Sequence, residues 1–417
     1  MIKMSLSFNT FVKLGANSEL SKLELSSILE EFSITELKFQ EWKKYLLLEL
    51  SKEYQAKLIK SLENSGSIIK AGPIKLEEKV RNLNELKPKI TSYLTKTLQT
   101  LPIQKTRKIK VSINIQTSSN EIRKQINSMI KKSIYQTSSD LLIETKIRSP
   151  KKETVELSPF QFFKDNFHKR GIEITCLIIK SKIFLGHVRW VTNPLKDIKQ
   201  DEGRPVRLFT HGTSIKLART LVNLSKIEKG DVLFDPFCGT GTILLEGLKQ
   251  DLQAIGIDRD PKCVRASKAN LNHFSMKHSS KERVKDKWSI FLLDSQDLNQ
   301  VMDTEIGGLV TEPYLGPFIK DLPSKEKAKD IMIMLEKLYT KVLQKSVEYL
   351  KTGHRVILII PEYRYSQEYS IYPDFQKIAT KCNLELHTES TLFNVKLPVQ
   401  IGRKHNIINR KLVIYTK

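Results

Sequence analysis

The chain has 417 residues, 40% hydrophobic and 28% charged, a balance that suits a folded soluble protein; at roughly 100–200 residues per domain this length holds two to four domains. Seventy Lys and Arg against 46 Asp and Glu leave a formal charge of +24, which points to a polyanionic partner (RNA, DNA or an anionic membrane) unless it is only a solvated lysine-rich surface. The start, MIKMSLSFNTF, lacks the long apolar core of a secretory signal and no apolar run approaches the ~18–20 residues of a membrane span, so no membrane is expected. Cys176, Cys238, Cys263 and Cys382 are scattered without a C-x-x-C pair. Neither a metal nor a disulfide framework is therefore expected, and a reducing cytoplasm fits.

In chain order, Thr10–Leu14 reads as a strand. Leu25, Ile28, Leu29 and Phe32 recur at helical spacing, and Ser21 with Glu24 has the form of a capping box near that helix's start. Ile34–Phe39 and Tyr45–Leu50 read as strands, Tyr54–Leu62 as a helix and Ser67–Ala71 as a strand. This βαββαβ order is that of a small ferredoxin-like unit, expected over residues 1–75. The Lys- and Glu-rich stretch Lys75–Pro88 reads as a bridge. Ile109, Val111, Ile113 and Ile115 alternate as in a half-buried strand. Asn120 opens a helix with Ile122, Ile126, Met129 and Ile130 on one face, and a basic loop follows around Arg148–Lys152. Pro159–Arg170, PFQFFKDNFHKR, interleaves aromatics with cations, and Ile172–Ile179 and Ile183–Val191 form a hairpin.

From about Gly203 apolar strands alternate with helices, the texture of a mostly parallel sheet. Strands are expected at Val232–Asp235, Ala254–Asp258, Trp288–Leu293, Gly308–Thr311 and Arg355–Ile360, with Leu412–Tyr415 last. The densest chemistry is Asp235-Pro236-Phe237-Cys238-Gly239-Thr240-Gly241-Thr242 at a strand-to-helix turn. Small residues there let backbone N–H groups approach a ligand. The spacing matches neither G-x-G-x-x-G nor G-x-x-x-x-G-K-[ST], and Asp235 suits a ligand ammonium rather than a pyrophosphate.

Asp258 ends the next strand about twenty residues on, where a carboxylate can take both hydroxyls of a ribose. Asp260 beside it reads as a helix cap. Asp294 ends the third strand, placed for an adenine amine or for a cap. The fourth strand ends in Thr311-Glu312-Pro313-Tyr314-Leu315-Gly316-Pro317. A carboxylate, a proline and an aromatic suit methylation of an exocyclic amine: acceptors on its N–H groups push electron density onto nitrogen, and the aromatic stacks on an extruded base. Before the first strand, His211-Gly212-Thr213-Ser214 leads into the helix Ile215–Leu224, with Thr213 or Ser214 an apt cap.

The segment GRPVRLFTHGTSIKLARTLVNLSKIEKGDVLFDPFCGTGTILLEG resembles, over its whole length, the guanosine-N2 tRNA methyltransferases that carry an N-terminal THUMP domain. LGANSELSKLEL and IFLGHVRWVTNPLKDIKQDEGRP are similar to the family's opening and to the close of its middle domain. The resemblance is densest from Ile183 to Asn270 and faint from Leu76 to Glu156. It implies an α/β, Rossmann-like class I methyltransferase domain over 203–417, a THUMP-like domain over 76–195 that grips the tRNA acceptor end, and S-adenosylmethionine as cofactor. It implies cofactor contacts at Asp235, Phe237, Gly239, Gly241, Asp258 and Asp294; Thr240 is a further candidate in the same turn, and Glu312, Pro313 and Tyr314 are the candidate catalytic residues read from the fourth strand.

Two departures stand out. The family usually has Asp-Pro-Pro-Tyr where Glu312-Pro313-Tyr314-Leu315 stands, so the acid is one methylene longer and the aromatic one position early. Gln200-Asp201 stands where the family often has Arg-Asp. The expected reaction is methyl transfer to guanine N2 in tRNA. Open beside it are the same chemistry on rRNA, a DNA amino-methyltransferase, and a non-catalytic RNA-binding protein with a relic pocket. A small activator protein, used by some relatives, is left open too.

Overall fold

The computed structural model describes residues 7–80, 83–101, 108–148, 156–207, 212–278, 287–402 and 406–417. It divides into two units, one of Met1–Gly15, Glu36–Glu63 and Ile68–Ile198, the other of Ala16–Thr35, Asn64–Ser67 and Lys199–Lys417.

The chain opens with β1 (Thr10–Leu14), α1 (Ser18–Glu30), β2 (Phe39–Trp42), β3 (Tyr45–Leu48), α2 (Lys52–Ser61) and β4 (Ile68–Lys79), the order read from the sequence. β2, β3, β1 and β4 lie side by side in that sequence, each antiparallel to its neighbour. Then come α3 (Leu83–Gln99), β5 (Lys108–Gln116), α4 (Asn120–Asp140), β6 (Glu144–Arg148), α5 (Pro159–Lys164), α6 (Phe167–Arg170), β7 (Gly171–Ile179), β8 (Lys182–His187), β9 (Trp190–Val191) and α7 (Pro194–Glu202). β8, β7, β5 and β6 extend the same sheet from β4, with β5 parallel to both β7 and β6.

Three expectations need correction in this unit. The strand expected at Ile34–Phe39 begins only at Phe39. Lys75–Pro88 is not a bridge: β4 runs to Lys79 and α3 starts at Leu83. Two of its acids pair within ordered elements, Glu77 with Lys182 across the strand pair at 2.7 Å and Glu78 with Lys89 at 2.8 Å. The third concerns β5, which is not half-buried. Ile109, Val111, Ile113 and Ile115 pack with Leu86, Ile90, Leu94, Ile126 and Ile130 of α3 and α4. The opposite face buries Ser112 and Asn114 as well. Asn114 Nδ2 donates to Tyr45 Oη (3.0 Å) and Glu156 Oε2 (3.2 Å), and Lys70 and Glu173 pair nearby at 2.7 Å. Asn114, Lys70 and Glu173 are tolerated there because each finds a partner.

The second unit holds α1 and then α8 (Ile215–Ser225), β10 (Val232–Asp235), α9 (Thr242–Leu248), β11 (Gln253–Asp258), α10 (Pro261–His278), β12 (Trp288–Leu292), β13 (Gly308–Thr311), α11 (Lys325–Tyr349), β14 (Arg355–Arg364), β15 (Ser370–Ile371), α12 (Phe375–Lys381), β16 (Glu385–Leu386), β17 (Val399–Ile401) and β18 (Ile408–Thr416). Its sheet runs β12-β11-β10-β13-β14-β18-β16. The first five strands are parallel, and β18 is antiparallel to β14. α11 closes one face, burying Ile331, Leu335, Tyr339, Val342 and Leu343 against Leu309, Leu358 and Tyr363.

The sequence reading also misplaced the start of α1. Asn17 is its N-cap, accepting from Leu20 N at 3.1 Å. Ser21 and Glu24 are no capping box: Glu24 is fully buried inside the helix. Its Oε1 accepts from Gly66 N (2.8 Å) and Asn223 Nδ2 (2.7 Å), and its Oε2 from Ser65 Oγ and Ser67 N (both 2.8 Å) and from Ser67 Oγ. α1 thereby docks on α8 of the second unit. No helix among the described residues is long and apolar enough to cross a membrane.

Candidate active site

The parallel strands β12, β11, β10 and β13 are neighbours in that order, so their carboxyl ends form one edge. On it the sequence places Asp294, Asp258, Asp235 and Glu312 respectively. Chain connectivity reverses direction between β10 and β13, and in such sheets the crevice at that reversal is where ligands bind. Asp235 and Glu312 flank it.

Asp235 is wholly buried. Its Oδ1 accepts from Thr311 Oγ1 (2.7 Å) and Phe237 N (3.1 Å). Burial pushes its carboxyl up to about 7, the charges of Asp258 and Glu312 add to the rise, and the two hydrogen bonds offset part of it. A buried carboxylate so short of positive charge is matched to a cationic ligand group.

The turn from β10 to α9 is shaped by Gly239 (φ +52°) and Gly241 (φ +79°). A Cβ at Gly241 would come within 2.5 Å of Ser267 Oγ and 2.7 Å of Leu271 Cδ1, and its positive φ strains any residue with a side chain. Ser295 Oγ donates to Pro236 O, and Asn270 Nδ2 to Thr240 O at 3.1 Å. Phe237 stays part-exposed and Thr240 is buried.

Asp258 takes one backbone N–H on each oxygen, from Gly239 at 2.9 Å and Asp260 at 2.8 Å. Each oxygen keeps a second acceptor position, so the pair can still hold two hydroxyls. Asp260 caps α10 through Lys262 N at 2.8 Å. Asp294 caps the short helical turn Ser295–Gln300 through Gln296 N at 2.9 Å, so one of its oxygens has a structural duty. Among the described residues no group of three or more His, Cys, Asp or Glu could hold a metal ion.

The fourth strand's acid is engaged on both oxygens. Thr213 Oγ1 donates to Glu312 Oε2 at 2.6 Å, and Arg410 Nη1 to Oε1 at 2.8 Å. Pro313 is buried. Tyr314 is exposed, with the Arg259 guanidinium 5.8 Å from its ring centroid. The backbone beyond it is clamped: Tyr339 Oη donates to Tyr314 O (2.7 Å), and Tyr363 Oη bonds Leu315 O (3.0 Å) and Pro317 O (3.2 Å).

Sequence reasoning gave no role to Thr311, Arg259 or Arg410. Arg410 lies 98 positions from Glu312, and no motif marks it. The cap position belongs to Ser214, which accepts from Leu217 N at 3.3 Å, and not to Thr213. Gln200, one of the two departures, donates to the buried Glu246 at 2.8 Å. His211 lies outside the described residues. In PFQFFKDNFHKR, Phe162 and Phe167 are core, while Phe160, Lys169 and Arg170 are exposed. A cleft of about 340 Å³ in that unit is lined by Phe163, His168, Lys169, Arg170, Arg189 and Trp190 among others.

Comparison with known proteins follows the same lines. Residues 204–378 match the RMKL-like methyltransferase domain family, and residues 100–269 match a DNA methylase model. The tRNA (guanine(10)-N2)-dimethyltransferase of Methanothermobacter thermautotrophicus is 32% identical over 150 residues, 36% of this chain and 39% of that protein. A probable enzyme of the same name from Methanothermococcus thermolithotrophicus is 41% identical over 102 residues, 24% of this chain and 60% of that protein. The tRNA (guanine(10)-N(2))-methyltransferase of Bos taurus is 22% identical over 239 residues, 50% of this chain and 52% of that protein. The match thus spans less than two thirds of each relative. TrmN from Thermus thermophilus superposes with a TM-score of 0.50 at 11% identity, covering 98% of this chain and 99% of that one. The resemblance read from the sequence is borne out by these relatives, and the fold is an α/β methyltransferase fold.

Proposed function

We propose that this chain transfers a methyl group from S-adenosylmethionine to the exocyclic N2 of a guanine in tRNA, acting in the cytoplasm. One observation carries the reading: four carboxylates end four adjacent strands, two of them flanking the switch point of the sheet. The cofactor supplies an electrophilic methyl group when bound. The residues present fit it. Asp235, buried and lifted to about 7, is matched to the cofactor's ammonium. Asp258, with one acceptor position left on each oxygen, takes the ribose hydroxyls, and Asp294 the adenine amine. Gly239, Thr240 and Gly241 let the backbone come close, with Phe237 alongside. Glu312 accepts from the guanine amine as it is methylated, Pro313 fixes the backbone there and Tyr314 stacks on the extruded base.

The N-terminal part completes the reading. The antiparallel order β2-β3-β1-β4 supports a ferredoxin-like element, and the remainder of that unit a THUMP-like one that docks the tRNA. The basic and aromatic cleft around Lys169, Arg170 and Trp190 is the surface proposed for that docking.

Single-turnover transfer to unmodified tRNA and rRNA tests the reading. Glu312→Gln is expected to slow transfer with cofactor affinity nearly unchanged, because the interaction grows in the transition state. Tyr314→Ala is expected to cost about 1–3 kcal/mol in base placement. Parent-like rates in both variants overturn the assignment of the site. Failure of the parent to methylate any RNA overturns the activity and favours a non-catalytic RNA-binding protein.

A further inference from the structure

Glu312 differs from the acid usual in this type of motif by one methylene, which adds a rotatable bond. A free glutamate there samples several rotamers, and a one-ångström displacement of a reacting group is costly in rate. Yet this glutamate is held at both oxygens from two distant parts of the chain. Thr213, just before α8, donates to Oε2 at 2.6 Å. Arg410, on β18, donates to Oε1 at 2.8 Å. Arg410 is set by the strand ladder, paired with Pro361 of β14 on one side and Ile401 of β17 on the other.

We infer that Arg410 is a positioning residue for methyl transfer: with Thr213 it draws the longer Glu312 side chain into one orientation and aims its remaining acceptor positions at the substrate amine. The inference rests on the proposed role of Glu312. A carboxylate oxygen has two acceptor sites. One bond to each oxygen fixes the plane of the group and leaves one site per oxygen for the amine N–H groups. Arg supplies the charge without any proton of its own to lose at working pH. Stability alone does not account for the pair. The Arg410 side chain is 35% exposed, and ion pairs that open to solvent contribute little to folding.

The experiment is a double-substitution cycle read by single-turnover transfer on the full chain. Arg410→Met is expected to lower the maximal transfer rate at least tenfold, with cofactor affinity within twofold of the parent and an unchanged melting temperature. Arg410→Lys, which keeps charge and one donor, is expected to recover part of that rate. In a Glu312→Gln background, Arg410→Met is expected to change the rate by less than twofold, because it acts through a carboxylate already lost. A parent-like rate in Arg410→Met, beside a slow Glu312→Gln, overturns the inference and leaves the proposed function standing. Rate losses that multiply in the double variant also overturn it, since Arg410 then acts independently of Glu312. A parent-like Glu312→Gln overturns the underlying reading instead.

Discussion

Asp235 offers a sharp test, because its surroundings set a pH dependence of known sign. Its carboxyl is raised from an ordinary 3.8 to about 7, first by burial and then by the charges of Asp258 and Glu312. The folded value lies above the unfolded one, so the folded state binds the extra proton. Stability from this group is complete below about pH 4, declines as pH rises toward 7, and is level above that. A shift of about three units at 1.36 kcal/mol each is an upper figure of about 4 kcal/mol. Asp235→Asn keeps an oxygen for the Thr311 hydroxyl and the Phe237 N–H and cannot ionise. It is therefore expected to melt several degrees above the parent at pH 8, with the gain shrinking as pH falls and vanishing toward pH 4. Cofactor binding carries the opposite sign. If the ligand ammonium sits on Asp235, binding displaces a proton below pH 7, and affinity drops by up to about tenfold per unit. Titration calorimetry at pH 6, 7 and 8, in buffers of differing ionisation heat, reads both affinity and proton release. Equal affinity at pH 6 and pH 8, or an asparagine variant that melts lower at pH 8, refutes the reasoning.

Two further predictions stand on other residues. Asp258→Ala removes charge-assisted hydrogen bonds worth on the order of 1.5–3 kcal/mol each, so cofactor affinity is expected to fall at least roughly tenfold by calorimetry with the far-ultraviolet spectrum unchanged; parent affinity removes Asp258 from the site. Glu24→Gln sets an amide NH2 against the N–H of Gly66 or Ser67; leaving a buried donor unsatisfied costs about 1–3 kcal/mol. The melting temperature is expected to drop by several degrees, and an unchanged melt counts against the buried carboxylate as the anchor of α1.

The second unit's sheet was legible because its central strands are short apolar runs ending in acids, such as VLFD and AIGID, separated by helix-length stretches. That texture places Asp235, Asp258 and Glu312 on one edge without any coordinates. What stayed hidden depends on contacts between distant segments. α11 carries six lysines and glutamates from Lys325 to Lys337, which masks the apolar face closing the sheet. Asn114 looks solvent-facing because its polarity is satisfied by Tyr45 and Glu156 from elsewhere in the chain. Glu24 imitates a capping residue because three-residue spacing cannot report that its partners are Gly66 and Asn223. The Arg410–Glu312 pair has no local pattern at all.

The docking of α1 on α8 sets an order of events in synthesis. Glu24 and its partner Asn223 are 199 positions apart. At roughly 5–20 residues per second, about 10–40 s separate their emergence from the ribosome. Throughout that interval a carboxylate destined for full burial is made without Asn223, and α1, which carries the buried Leu25, Ile28 and Leu29, has no α8 to meet. β1, β3 and β4 can pair during this wait, since all three are made by residue 79. The helix between β1 and β2 is thus a held-back seat, filled only when α8 has been made, and a nascent chain that bypasses α8 keeps that face exposed to chaperones and proteases.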